Sequence, residues 1–117
     1  MKILLLMMLF HIIDDFVLQS ASLGKLKQRD WWKQNAPDKL YENDYKAALC
    51  IHALSWAIMI HLPLMFSVKG WLLGISVLIN GAIHYIVDDL KANKHKLNLS
   101  QDQAIHFLQI FITHLIL

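Results

Sequence analysis

The chain of 117 residues contains a single cysteine, Cys50, which excludes an intramolecular disulfide and any cysteine-based zinc motif. Cys50 lies inside an apolar stretch, where packing explains it. Charge is scarce as well: 17% of residues are Asp, Glu, Lys or Arg, and the net charge is +2. So small an excess leaves no electrostatic footprint for nucleic acid. The metalloprotease signature His-Glu-x-x-His is absent too.

Apolar residues fill the chain instead. They make up 56% of it, well above the usual share for a soluble domain. Residues 47–68 and 70–87 are two windows, of 22 and 18 residues, without Asp, Glu, Lys or Arg. A helix crosses the hydrocarbon core of a bilayer with about 20 apolar residues. The composition therefore points to a single-domain integral membrane protein: an all-α bundle of four transmembrane helices at about 1–19, 46–67, 71–91 and 101–117.

The first of these helices carries Lys2, an apolar run, and then His11, Asp14 and Asp15. A basic start, a short apolar run and Ser20-Ala21-Ser22 also fit a signal peptide. Two aspartates just before the cleavage point argue that the helix is kept. The connection 20–46 holds Lys25, Lys27, Arg29, Lys33, Lys39 and Lys46 with Trp31 and Trp32, the composition of a membrane-water interface. These lysines read as interfacial anchors, with headgroup binding as the alternative, and 37–46 reads as a surface helix opened by Pro37. Helix 2 contains His52, His61 and Pro63. Ser100 and Gln103 fit a capping box at the start of helix 4.

Lysine and arginine counts orient the bundle. The connections 20–46 and 91–96 hold six and three; the opposite side has only Lys2 and Lys69. Positive-inside then places both connections in the cytoplasm and both termini outside, in a bacterial inner membrane.

Two pairs, His11/Asp15 and His84/Asp88, share the spacing i, i+4, which stacks side chains on one helical face. In this topology His11, Asp15, His52, His84, Asp88, Asp102 and His106 all fall in the cytoplasmic half, from four different helices. His61 and His114 fall nearer the outer side. Ionisable groups at membrane depth are costly unless paired, so their gathering marks a polar site. Neutral imidazoles with carboxylates suit a divalent transition metal: zinc, iron, manganese or nickel. The donors suffice for one closed site, or for two metals with an open position. Gln19, two turns after His11, is placed to orient a ligand or substrate. Lys91, one turn after Asp88, is placed to neutralise that carboxylate or receive a phosphate.

Plainer readings accompany each residue. Asp102 and Gln103 also suit a helix N-terminus, and Lys91 suits a topogenic anchor. Asp14 and Asp89 are rotated by about 100° from the chosen carboxylates and are expected to meet water or the interface.

Taken together, His11-x-x-x-Asp15-Phe16-x-x-Gln19, His52, His84-x-x-x-Asp88-x-x-Lys91 and Asp102-Gln103-x-x-His106 resemble the small bacterial and phage membrane proteins grouped as domain of unknown function 3307. The resemblance covers essentially the whole chain and carries no settled activity. A looser similarity joins it to predicted membrane-bound metal-dependent hydrolases. The expected function is metal-assisted hydrolysis of an interfacial or lipid-linked substrate. Alternatives are a proton or metal-ion conduit, haem ligation by paired histidines, and a structural cluster that only fixes helix packing. Membrane lipids are expected partners, and so is a second copy of the chain, because so small a bundle buries its polar faces more fully by self-association.

Overall fold

The apolar run Lys2–Ile12 forms α1, and at Ile13 the helix widens into a π-helical turn, Ile13–Leu18. This computed structural model describes all 117 residues. Gln19 leaves the helix in an extended conformation. Ser20 then caps the next helix, its Oγ accepting from Leu23 N–H at 3.1 Å. Two short helices follow, α2 (Ala21–Leu26) and α3 (Arg29–Asn35). Asn93, at the end of α5 (Gly70–Ala92), ties this strap down. Its side chain donates to Lys27 O at 3.1 Å and accepts from Arg29 N–H at 2.7 Å. The surface helix expected over 37–46 is replaced by a 3-10 turn, Lys39–Tyr41, with Asp38 as its cap.

The second long helix, α4, is Asp44–His61. It was expected to reach 67, but Pro63 lacks an N–H and crowds the preceding turn, so the α-pattern gives way to a 3-10 turn at Leu62–Leu64. The last helix, α6, covers Leu99–Ile116. Its capping box is Asn98 with Gln101, not Ser100 with Gln103: Asn98 Oδ1 accepts from Gln101 N–H at 2.9 Å, and Gln101 Oε1 accepts from Asn98 N–H at 3.0 Å. Starting the helix two residues early leaves Gln103 free to turn inward.

The four long helices pack with α4 closest to α5. They meet at Gly81, where an added Cβ would make ordinary contact, 3.6 Å from Ala53 O and from Ala57 Cβ. At one end of the bundle Met7, Trp56, Ala57, Ile60, Leu64 and Ile110 form an apolar core. The other end is different. Of 23 buried residues in the protein, twelve are polar or charged. Large apolar side chains meanwhile cover the outside: Leu5 and Leu9 on α1, Ile51 and Ile58 on α4, Ile75 and Ile86 on α5, Leu108 and Leu115 on α6.

The protein is thus all-α, with six α-helices and no strand. Two helical stretches, Lys39–Leu64 and Gly70–Ala92, are long and apolar enough to cross a membrane. Of the four spans expected, these two meet that measure; α1 is short before its π-turn, and α6 carries Asp102, His106, Gln109 and Thr113 on its inward face.

Candidate metal centre

Four helices and the strap contribute side chains to the polar end. From α4, His52 directs Nε2 toward Asp15 Oδ1 and Asp88 Oδ2, each at 3.4 Å. From α5, His84 places Nε2 at 3.2 Å from His52 Nε2 and 3.7 Å from Asp88 Oδ1. From α6, His106 Nε2 lies 3.3 Å from Asp102 Oδ1 and 3.6 Å from Asp88 Oδ1. Two ligand atoms on a tetrahedral zinc, each at 2.0–2.1 Å, are separated by roughly 3.3–3.4 Å. The observed separations fall around that value. Apart from the His52–His84 hydrogen bond at 3.2 Å, they are longer than good hydrogen bonds between the same atoms.

Several of these atoms have no hydrogen-bond partner. Asp15 Oδ1, Asp102 Oδ1 and His106 Nε2 are all buried and unpaired. Burying a polar group without a partner is costly. Cations held among these side chains would give such atoms partners. Two groups of three, Asp15/His52/His84 and His84/Asp88/His106, bring one potential donor atom per residue within 4.8 Å of the others.

The supporting contacts fix how the rings are presented. Trp56, fully buried on α4, donates its indole N–H to His11 Nδ1 at 2.7 Å. Indole nitrogen can only donate, so Nδ1 accepts and the ring proton sits on Nε2. That proton goes to Gln103 Oε1 at 3.0 Å. The Gln103 amide then donates to Asp15 Oδ2 and Asp102 Oδ2, each at 3.2 Å. Both nitrogens of His11 are thereby engaged, and its place is to orient two carboxylates through Gln103. Trp56 also stacks on His84 at 4.2 Å and 19°.

Asp14, expected to face outward, is buried. The π-turn is the reason: its i→i+5 pattern advances each residue by less than an α-helix does, so adjacent Asp14 and Asp15 both reach inside. Ser55 Oγ donates to Asp14 Oδ1 at 2.7 Å, and Asp14 Oδ2 stands 3.7 Å from His52 Nδ1. That places a carboxylate behind the ring, on the side of His52 away from Nε2, without a hydrogen bond to it. Asp89 stays outside the cluster, paired with Lys94 and Asn93.

The two cations differ from expectation. Lys91 bridges to Asp102 Oδ2 at 2.6 Å, across to α6, and not to Asp88 on its own helix. Asp88 is met by Lys27, a strap residue that had read as an interfacial anchor. Lys27 is buried, and its Nζ donates to Asp88 Oδ2 at 2.6 Å and to Gln19 Oε1 at 2.7 Å. Gln19 therefore touches the centre through Lys27. A cavity of about 460 Å³ leads outward from Asp88 past Lys27, Gln19, Lys91, Lys25 and His95. Any ligand reaching Asp88 from this side passes cationic side chains.

Sequence reasoning thus missed Asp14, Lys27, Trp56 and Gln103. Trp56 had a signal, one turn after His52 in a buried span. Gln103 was absorbed by the wrong cap. Lys27 had none, because only the folding back of the strap brings it to Asp88. His61 stays apart, its ring bonded to Ala57 O at 2.7 Å and Ser76 Oγ at 2.8 Å.

The family described as "Protein of unknown function (DUF3307)" matches residues 3–117, and the protein belongs to that family. No curated protein and no solved structure matches the chain.

Proposed function

We propose that this is an integral membrane protein of four spans whose His/Asp cluster binds a divalent transition metal at the cytoplasmic face. The carrying observation is the set of buried, unpaired donors Asp15 Oδ1, Asp102 Oδ1 and His106 Nε2 beside His52 and His84. Apolar side chains on the outside of all four long helices, around a polar interior, support the membrane reading, since such surfaces are rare on soluble monomers. The lysine distribution supports both termini outside.

The reaction that best suits the centre is metal-assisted hydrolysis of an interfacial or lipid-linked substrate. A divalent ion with an open position supplies Lewis acidity and an activated water. The chain's own residues supply the rest. The cavity at Asp88 opens beside Gln19, Lys25 and Lys91, which suits an anionic headgroup entering from the interface. Elemental analysis of the purified chain and of a His84→Ala/Asp88→Ala variant tests the metal. Near-stoichiometric metal that disappears in the variant is expected; trace metal equal in both overturns the reading.

A conduit for protons or metal ions is the second reading, favoured by one feature. A hydrogen-bonded column of buried and half-buried side chains lies beyond the cluster, toward the other end: Gln109 and Thr113 donate to Asn80 Oδ1 at 2.8 and 3.1 Å, Asn80 donates to Ser76 Oγ at 3.2 Å, and Ser76 contacts His61. Flux in proteoliposomes that is abolished by Asn80→Leu would favour it. Flux at the protein-free level would remove it.

A further inference from the structure

Resting on the metal reading, we infer that the centre holds two ions, bridged by the carboxylate of Asp88. The stacking of His84 on His106 carries this. Their ring centroids lie 4.1 Å apart with an interplanar angle of 28°. An ion bound by imidazole lies in the ring plane, at 2.0–2.1 Å from the nitrogen for zinc. Rings stacked face to face at this separation aim their lone pairs along lines that stay apart over so short a reach. They cannot both ligate one ion without unstacking. They can each ligate their own, at a spacing near the roughly 3.5–4 Å of two-metal sites.

The carboxylates divide the same way. Asp88 Oδ2 faces His52 at 3.4 Å, while Asp88 Oδ1 faces His106 at 3.6 Å and, from the other ring of the stack, His84 at 3.7 Å. His52 has Asp15 Oδ1 and His84 as its other neighbours, and His106 has Asp102 Oδ1. Asp15, His52, His84 and Asp88 make one four-donor set. Asp88, His106 and Asp102 make a second set with a position left open.

Charge sets the order of filling. Asp14, Asp15, Asp88 and Asp102 face Lys27 and Lys91, so two negative charges remain when the imidazoles are neutral. One divalent ion neutralises the site. The second makes it positive, so it binds more weakly and with the help of an anion.

Equilibrium dialysis of the full chain in detergent against zinc(II) and, separately, manganese(II) tests this, with elemental analysis of the retained metal. Two equivalents per chain at saturation, filled in two separate steps, are expected with the metal that binds more tightly. Manganese-loaded protein is expected to give an exchange-coupled electron paramagnetic resonance signal. One equivalent at saturation overturns the two-ion centre and leaves the metal reading standing; no retained metal overturns both. Two equivalents with uncoupled signals overturn the bridge. Asp102→Asn/His106→Gln is expected to retain one equivalent, and loss of both ions in a folded variant overturns the division into two sets. Asp102→Asn alone gives the same readout if the double variant does not fold.

Discussion

Trp56 Nε1 donates to His11 Nδ1 at 2.7 Å, and this one bond sets the direction of every hydrogen bond that follows it. With Nδ1 accepting, His11 must donate to Gln103, and Gln103 must turn its amide toward Asp15 and Asp102. An indole on α4 thus orients carboxylates on the first and last helices. The relay keeps one oxygen of each carboxylate occupied, and the other makes no hydrogen bond.

Removing the indole N–H should therefore do more than lower stability. Trp56→Phe keeps an aromatic face on His84 but leaves His11 Nδ1 buried without a donor. A destabilisation of about 1–3 kcal/mol is expected, together with weaker metal binding. Thermal unfolding in detergent and metal retention on dialysis report the two effects. Unchanged metal retention in this variant would remove the relay from any role in presenting the carboxylates.

Lys27→Met should move stability and metal affinity in opposite directions. The buried Lys27–Asp88 pair is broken, and an uncompensated buried carboxylate costs about 3–5 kcal/mol in the metal-free protein. The same change frees Asp88 Oδ2, for which Lys27 and a metal compete, so a metal is bound more tightly. Comparison of melting temperature with and without added zinc checks both signs. A loss of metal affinity would show that Lys27 supports ligation and does not oppose it.

The start of α6 offers a clean pair. Asn98→Ala removes the observed cap and is expected to cost about 1 kcal/mol, whereas Ser100→Ala should be near neutral. Unfolding free energies of the two variants decide it. The opposite ranking would restore Ser100 as the cap and pull Gln103 out of the centre.

Acidification should release the metal. A proton and a metal ion compete for the lone pair of each imidazole, so affinity falls as pH is lowered from about 8 to about 5.5 and recovers when it is raised. Stability contributed by bound metal follows the same sign, present at the higher pH and lost at the lower. Metal retention measured across that range would contradict histidine ligation if it stayed flat.

Much of this was legible in the sequence. Uncharged windows of 22 and 18 residues required long apolar helices, and helical spacing alone put Asp15 on the face of His11 and Asp88 on the face of His84. The i, i+4 rule presumes an α-helix, however, and failed at Asp14 because the chain takes a π-turn there, which no residue pattern announced. Capping went wrong by two residues because Asn98/Gln101 and Ser100/Gln103 have the same spacing, and only the loop's path selects between them.

The sequence by itself determined that the protein is helical and largely apolar, and that its histidines and aspartates recur at one-turn spacing. Helix periodicity and hydropathy are local properties, readable along the chain. Only the tertiary structure decided which donors meet. Lys27 reaches Asp88 across 61 residues and Gln103 reaches His11 across 92, distances in sequence at which no local rule operates. Convergence of that kind depends on how the long helices pack against one another and how the strap folds back, and those are consequences of packing.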